Sequence, residues 1–211
     1  MPNAELVEGL AAEVARRLQR SRVPVPIGVS NRHAHITQPH FEALFGAGAA
    51  LSKFKDLSQP GQFAADEKFD IQGPKGAIKG VRLLGPFRPK TQIEVSLSDA
   101  IALGIRPPVR ESGDLGGSAP LKLTGPRGSV EVREGLILAR RHLHCTPADA
   151  AAIGLSNGEV VRVCAGRGGG RGTVFEDTVV RVSEKFSLEL HLDTDEANAA
   201  GVKTGDLAHI V

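Results

Sequence analysis

The sequence contains two closely similar stretches, Arg32-His33-Ala34-His35-Ile36-Thr37 and Arg141-His142-Leu143-His144-Cys145-Thr146. Side chains alternate along a β-strand with a period of two, so both histidines of each stretch lie on one face. The threonine that closes each stretch is a residue type favoured at the N-cap of a helix. Each stretch therefore predicts a short strand that turns into a short helix.

The same strand–turn–helix pattern recurs further along the chain. Three segments share the pattern Asp/Glu-Ala-x-x-x-Gly: Asp99–Gly104, Asp149–Gly154 and Glu196–Gly201. Each follows a serine or threonine that can cap a helix, and each is typical of one short helix that ends at its glycine. The residues five positions before the acidic residue are Glu94, His144 and His191. With His35, they occupy one position in four copies of the unit.

This repeat predicts a metal-binding constellation. Its candidate ligands are His33, His35, Glu94, His142, His144 and His191. Histidine pairs supply neutral nitrogen ligands to zinc, and a carboxylate or third histidine completes a catalytic site with an open position. The two cysteines exclude a four-cysteine structural site. The alternative is that these residues are half-buried polar groups at the ends of barrels, which leaves their equivalent positions unexplained.

The composition favours a turn-rich β protein. Among 211 residues, 25 are glycine and 13 are proline, and short apolar runs lie between the turns. This spacing favours small barrels or sandwiches over a parallel α/β sheet. No apolar run approaches the roughly 20 residues of a membrane span. A net charge of +2 and the lack of Trp and Tyr argue against nucleic acid as a partner.

The N-terminal segment, from Asn3 to about Arg20, predicts an amphipathic helix. Its apolar stripe consists of Leu6, Leu10, Val14 and Leu18. Prolines in the stretch Ser21–Pro26 end it. Two interpretations stay open for the helix: a packing element, or a docking peptide for a partner surface.

Three further features allow a functional and a structural interpretation. Arg88 precedes Glu94 by six residues, and its guanidinium suits phosphate, although such an arginine is also common on surfaces. The glycine-rich stretch Ala165–Gly172 is either a phosphate cradle or a hairpin tip. Cys145 follows a candidate ligand directly, so it points to the other face of the strand, towards the core.

Several motifs together resemble one known family. They are Val29–His35, Thr91–Ser96, Val109–Asp114, Arg141–His144 and Leu190–Gly201. In order and spacing, over about residues 25 to 211, they resemble the PduL-type phosphate acyltransferases (phosphotransacylases, or phosphate propanoyltransferases) associated with bacterial microcompartments.

The resemblance implies a mainly β fold with two small β-barrel domains capped by short helices, and a dinuclear zinc site between them. The N-terminal amphipathic helix, residues 1–21, is separate from both barrels. We expect the first barrel to comprise residues 22–31 plus 140–211, and the second to comprise residues 32–139.

The resemblance also implies residue roles. His33, His35 and Glu94 look like the ligands of one zinc ion, His142, His144 and His191 like those of the second, and Arg88 like the phosphate contact. The helix of residues 1–21 looks like an encapsulation peptide that binds shell or core proteins. We therefore expect a cytoplasmic protein inside a bacterial microcompartment. We also expect a homo-oligomer, taken as a dimer.

The activity implied is that of a phosphotransacylase. It would interconvert a short-chain acyl-CoA (propanoyl-CoA or acetyl-CoA) and phosphate with an acyl phosphate and coenzyme A. The alternative enzyme class is a zinc-dependent hydrolase of thioesters or other substrates, in which water attacks instead of phosphate. A non-catalytic alternative is a metal-storage or structural shell component.

Overall fold

The computed structural model describes residues 3–211, so Met1 and Pro2 of the predicted 1–21 segment lie outside the described residues. The helices are α1 (Ala4–Arg22), α2 (Gln38–Phe45), α3 (Leu97–Leu103), α4 (Pro147–Ile153) and α5 (Thr194–Ala200). The strands are β1 (Val25–Ser30), β2 (His33–His35), β3 (Lys53–Asp56), β4 (Phe63–Gln72), β5 (Ala77–Gly85), β6 (Gln92–Glu94), β7 (Val109–Arg110), β8 (Ala119–Thr124), β9 (Ser129–Ala139), β10 (His142–Cys145), β11 (Val160–Ala165), β12 (Thr173–Val182), β13 (Glu189–Asp193) and β14 (Leu207–Ile210).

The chain divides into two compact units. Unit 1 comprises the residues up to Val29 together with Arg141–Leu192 and Glu196–Val211. Unit 2 comprises Ser30–Arg140 and the short segment Asp193–Asp195. The domain limits expected from the sequence stay a prediction.

In the described part of unit 1, six strands close into a barrel in the order β1-β13-β10-β12-β11-β14. Strand β10 pairs in parallel with β12 and antiparallel with β13. Apolar side chains fill the interior, among them the fully buried Leu143, Val163 and Leu190. Closure leaves no edge strand in this sheet.

Six of the strands described in unit 2 close a second ring, β4-β5-β2-β6-β9-β8, because β8 pairs with both β4 and β9. Strands β3 and β7 extend this sheet from β4 and β9. The interior is again apolar and includes the fully buried Leu83, Ile93 and Leu136. The predicted mainly β fold with two barrels and short helices is therefore confirmed.

Short helices follow the ligand-bearing strands, as the repeat predicts. The side chain of Ser96 caps α3, and that of Thr146 caps α4 in a reciprocal capping box with Asp149. Gly104 and Gly154 end these helices at φ 73° and 76°, a left-handed conformation that glycine adopts without steric cost. Helix α5 differs from the expectation, since it begins at Thr194 itself and not after it.

Helix α1 contacts the rest of unit 1 through its last turns. Gln19 donates a hydrogen bond to the Ala152 carbonyl at 2.7 Å, and Arg20 forms an ion pair with Glu159 at 2.8 Å. The predicted apolar stripe stays exposed, with relative accessibilities of 59% (Leu6), 57% (Leu10), 55% (Val14) and 53% (Leu18). Of the helices described within residues 3–211, none combines the length and the apolar character that crossing a membrane requires.

Candidate metal centre

Strand pairing in unit 2 places three predicted ligands on one face. Strands β2 and β6 pair antiparallel so that His33 lies opposite Glu94 and Ala34 lies opposite Ile93. Ala34 and Ile93 are fully buried in the core of the barrel. Because side chains alternate across a strand, His33, His35 and Glu94 project from the other face.

The ligand atoms of His33, His35 and Glu94 all lie within 4.8 Å of one another. The Nδ1 atom of His33 lies 2.8 Å from the Asn31 carbonyl, which can only accept a hydrogen bond. Nδ1 therefore carries the hydrogen, and Nε2 presents a lone pair. That Nε2 atom is 3.5 Å from Oε2 of Glu94. Such an arrangement of a backbone-anchored imidazole beside a carboxylate suits a metal ion.

Unit 1 repeats the arrangement with histidine in place of Glu94. Strands β10 and β13 pair so that His142 lies opposite His191, with the fully buried pair Leu143 and Leu190 next to them. The ligand atoms of His142, His144 and His191 lie within 4.8 Å of one another. Their ring centroids are 4.6 to 4.8 Å apart.

Several ring nitrogens of these groups are buried without a hydrogen-bond partner among residues 3–211. They are Nδ1 of His35, both ring nitrogens of His144 and Nε2 of His191. A buried polar atom left unpaired costs about 1–3 kcal/mol, and native proteins avoid it. A cation bound through one nitrogen of each ring would satisfy Nδ1 of His35 and one of the two nitrogens of His144, so the residues present fit a metal ion in both units.

Burial also keeps two of the histidines, His35 and His144, neutral. Loss of solvation lowers the pKa of His35 to about 3, and electrostatic interaction with His33 and with the positive charge of Arg88 acts in the same direction. Loss of solvation likewise lowers the pKa of His144 to about 2, assisted by His142, His191 and Arg181. At neutral pH these imidazoles are therefore unprotonated, which is the form that binds metal.

An ion pair supports each ligand group. Arg32, next to His33, binds Asp99 at 2.8 Å, and Arg141, next to His142, binds Glu196 at 2.6 Å. In both units the arginine precedes the first histidine, and the acidic residue follows the cross-strand ligand by five positions. Each ion pair links the residue before one ligand-bearing strand to the helix that follows the strand paired with it. Sequence reasoning missed these pairs, although Arg-His-x-His and the acidic repeat position were both visible.

Arg88 lies close to the unit 2 group. Its positive charge contributes to the lowered pKa of His35. Its Nη1 atom is 3.4 Å from Oγ of Ser112, and its backbone N–H donates to the Ile36 carbonyl at 2.9 Å. The structure thus brings together the candidate phosphate contact and one of the two ligand groups.

The remaining candidates have structural roles. Cys145 is fully buried in the unit 1 core, and burial raises the pKa of its thiol to about 11. The interpretation of Cys145 as a core residue is confirmed. The glycine-rich stretch Ala165–Gly172 connects the antiparallel strands β11 and β12, as the hairpin interpretation predicts.

The structure thus defines a class: a two-barrel β protein in which each barrel carries a histidine-rich group able to hold a metal ion. The sequence pattern of the phosphate propanoyltransferase family matches residues 26–203. The chain belongs to this family.

Curated relatives match over nearly their full lengths. A phosphate propanoyltransferase of Priestia megaterium is 51% identical over 207 residues, covering 97% of this chain and 94% of the relative. Another, of Thermotoga maritima, is 49% identical over 195 residues, covering 92% of each. A third, of Listeria monocytogenes, is 46% identical over 209 residues, covering 99% of this chain and 97% of the relative.

The buried neutral histidines predict how stability depends on pH in metal-free protein. The folded state keeps His144 unprotonated down to a pKa of about 2, whereas the unfolded chain binds a proton near its ordinary value of 6.5. The contribution of the neutral histidine to the free energy of unfolding is complete above pH 6.5. As the pH falls below 6.5, this contribution is lost by about 1.4 kcal/mol per pH unit for each such histidine.

Urea unfolding at pH 7.5 and pH 5 measures this loss. We expect His144→Gln to lose less stability between the two pH values than the parent protein does. His209→Gln, which removes a histidine outside both groups, is the control and should lose as much as the parent. An equal loss in all three proteins would contradict the prediction.

Proposed function

We propose that this chain is a phosphotransacylase that interconverts a short-chain acyl-CoA and phosphate with an acyl phosphate and coenzyme A. The two histidine-rich groups, which contain the buried His35 and His144, in a chain about half identical to phosphate propanoyltransferases, carry the proposal. Propanoyl-CoA and acetyl-CoA are the proposed acyl donors. They differ by one methylene group, which a pocket distinguishes by about 1–3 kcal/mol.

We propose zinc as the metal, with two ions per chain. His33, His35 and Glu94 would hold one ion, and His142, His144 and His191 would hold the other. Histidine nitrogens with one carboxylate form a ligand set typical of zinc, and three protein ligands leave a position open for substrate. A bound zinc ion supplies Lewis acidity towards carbonyl and phosphate oxygens and affinity for a thiolate.

The chain's own residues would position the reactants. The guanidinium of Arg88 offers paired N–H donors to phosphate oxygens, which holds the nucleophile by charge and by geometry. A phosphate oxygen then attacks the thioester carbonyl, the new C–O bond forms, and the C–S bond breaks. Coenzyme A leaves as the thiolate and takes up a proton from solvent.

No side-chain nucleophile is part of this proposal. Cys145, the residue after the candidate ligand His144, is buried in the core, and its raised pKa of about 11 keeps it protonated at neutral pH. A thiol in this state is a poor nucleophile. Direct attack by phosphate is therefore the route that we propose, without an acyl-enzyme intermediate.

Release of coenzyme A tests the proposal. The rate is measured from acetyl-CoA and from propanoyl-CoA, with and without phosphate, in zinc-loaded, chelator-treated and zinc-restored protein. We expect release that requires both phosphate and metal. Release without phosphate would identify a hydrolase, and no release under any condition would contradict enzymatic function.

The role of Arg88 predicts a selective kinetic defect. Arg88→Ala should raise the KM for phosphate about tenfold or more and change the KM for acyl-CoA much less, because the lost contact is to phosphate. Arg106→Ala, which removes an exposed arginine, is the matched control. Steady-state kinetics with each substrate varied in turn provides the measurement. Equal increases in both KM values would contradict the assigned role.

We propose further that α1 binds a shell or core protein of a bacterial microcompartment, which would place the enzyme inside it. Support comes from the exposed apolar stripe, since an isolated amphipathic helix presents such a stripe to a partner. The contacts of Gln19 and Arg20 would fix the end of the helix on unit 1. The dimer expected from the sequence stays a prediction.

Because α1 is the proposed docking helix, changes on its apolar stripe should prevent encapsulation and leave catalysis intact. The double variant Leu10→Glu, Val14→Glu should keep the parent's kcat, because α1 carries none of the proposed ligands, and should be lost from purified compartments. Glu8→Gln, on the polar face of α1, should be retained with them. Immunoblots of compartment fractions provide the measurement, and retention of the double variant at the parent's level would contradict the proposal.

A further inference from the structure

In each pair of ligand-bearing strands, a fourth residue lies on the face that carries the three candidate ligands. We call this residue the fourth corner. In unit 2 it is Gln92, which lies opposite His35 and two residues before Glu94. In unit 1 it is Glu189, which lies opposite His144 and two residues before His191. The fourth corners are 2% and 6% exposed, and the sequence repeat did not single them out as functional.

The hydrogen bonds of Gln92 connect the unit 2 ligand group to its surroundings. Its amide nitrogen donates to Oε1 of Glu94 at 2.5 Å and to Oγ of Ser112 at 2.7 Å. Its amide oxygen accepts from the backbone N–H of Gly113 at 2.7 Å. With Oε1 of Glu94 held in this way, Oε2 is the oxygen that faces His33.

Gln92 also connects the ligand group to the candidate phosphate contact. The Ser112 hydroxyl, which accepts from Gln92, lies 3.4 Å from Nη1 of Arg88. One buried amide thus contacts both the carboxylate ligand and the loop that supports Arg88. A change at Gln92 would disturb both.

Glu189 occupies the equivalent place beside His191. Its Oε2 atom is 3.0 Å from Nε2 of His191, which is within hydrogen-bonding distance although the two groups are not aligned as a hydrogen bond. The carboxylate lies against the backbone of β1, where a Cβ on Gly28 would stand 2.7 Å from Cδ of Glu189. Gly28 therefore leaves space that the Glu189 carboxylate fills.

The two fourth corners match the ligands that they contact. Gln92 presents an N–H donor to a carboxylate ligand, and Glu189 presents a carboxylate to an imidazole ligand. Outer carboxylates commonly orient metal-binding histidines by accepting from the ring nitrogen that does not bind metal. Glu189 lies beside Nε2 of His191, which leaves Nδ1 of that ring for the metal. With its fourth corner included, each group also contains one carboxylate among four side chains.

We propose that Gln92 and Glu189 are positioning residues: each orients the ligand two residues later on its own strand, and Gln92 also orients Arg88 through Ser112. The inference deepens the proposed function, since it rests on metal binding by the two groups. Residues that orient ligands in this way typically contribute 10–100-fold to metal affinity.

Zinc affinity tests the inference without turnover. Competition with a chromophoric chelator is used to titrate the two zinc ions of the parent, Gln92→Met, Glu189→Leu and Glu189→Gln. We expect Gln92→Met and Glu189→Leu each to weaken one of the two ions about 10–100-fold. Glu189→Gln, which keeps an acceptor, should restore part of the loss. The controls Gln72→Met and Glu184→Leu change exposed residues of the same types and should bind both ions as the parent does.

Cobalt(II) substitution adds a spectroscopic measurement that a purely structural role would not change. The visible absorption of the cobalt-loaded protein should shift in the Gln92 and Glu189 variants and stay unchanged in the controls.

Ser112→Ala should keep both zinc ions and raise the KM for phosphate about threefold or more. Ser112→Ala and Glu189→Gln are small changes, so they keep the test decisive where a larger substitution prevents folding.

Parent-like zinc affinity and cobalt spectra in folded Gln92 and Glu189 variants would overturn the inference. So would a parent-like KM for phosphate in Ser112→Ala combined with parent-like zinc affinity in Glu189→Gln. Failure of the proposed function gives a different result, namely a parent protein that binds two zinc ions but does not transfer acyl groups to phosphate. A parent that binds no zinc would overturn both.

Discussion

The antiparallel register of two short strand pairs is the constraint on which both ligand groups depend. Pairing β2 with β6 puts His33 opposite Glu94, and pairing β10 with β13 puts His142 opposite His191. Because side chains alternate along a strand, a slip of one residue in either pair would turn the ligands into the apolar core. The residues between the ligands, such as Leu143, are fully buried and oppose that slip.

This register places polar side chains at buried positions. Buried imidazoles that lack a partner destabilise a metal-free protein, and the ion pairs Arg32–Asp99 and Arg141–Glu196 anchor the strands that carry them. A bound metal ion would stabilise the folded state by binding it in preference to the unfolded chain. The local instability of the ligand faces is thus consistent with a function in metal binding.

Much of the ligand geometry could be predicted from the sequence, because local periodicity determines it. The spacing of His33 and His35, and their match to His142 and His144, were sufficient to place these residues on ligand faces. Ser112, which bonds to Gln92, and Asp99, which binds Arg32, lie in a loop and a helix outside the ligand-bearing strands, so strand periodicity did not identify them. Barrel closure itself came from a family resemblance, since apolar runs of this length are equally consistent with a sandwich.

Anomalous X-ray diffraction at the zinc absorption edge, from crystals of zinc-loaded protein, would show which residues bind the metal. We expect two anomalous peaks per chain, one bound by His33, His35 and Glu94 and one bound by His142, His144 and His191. Peaks bound by other residues, or no peak at either group in fully loaded protein, would contradict this expectation.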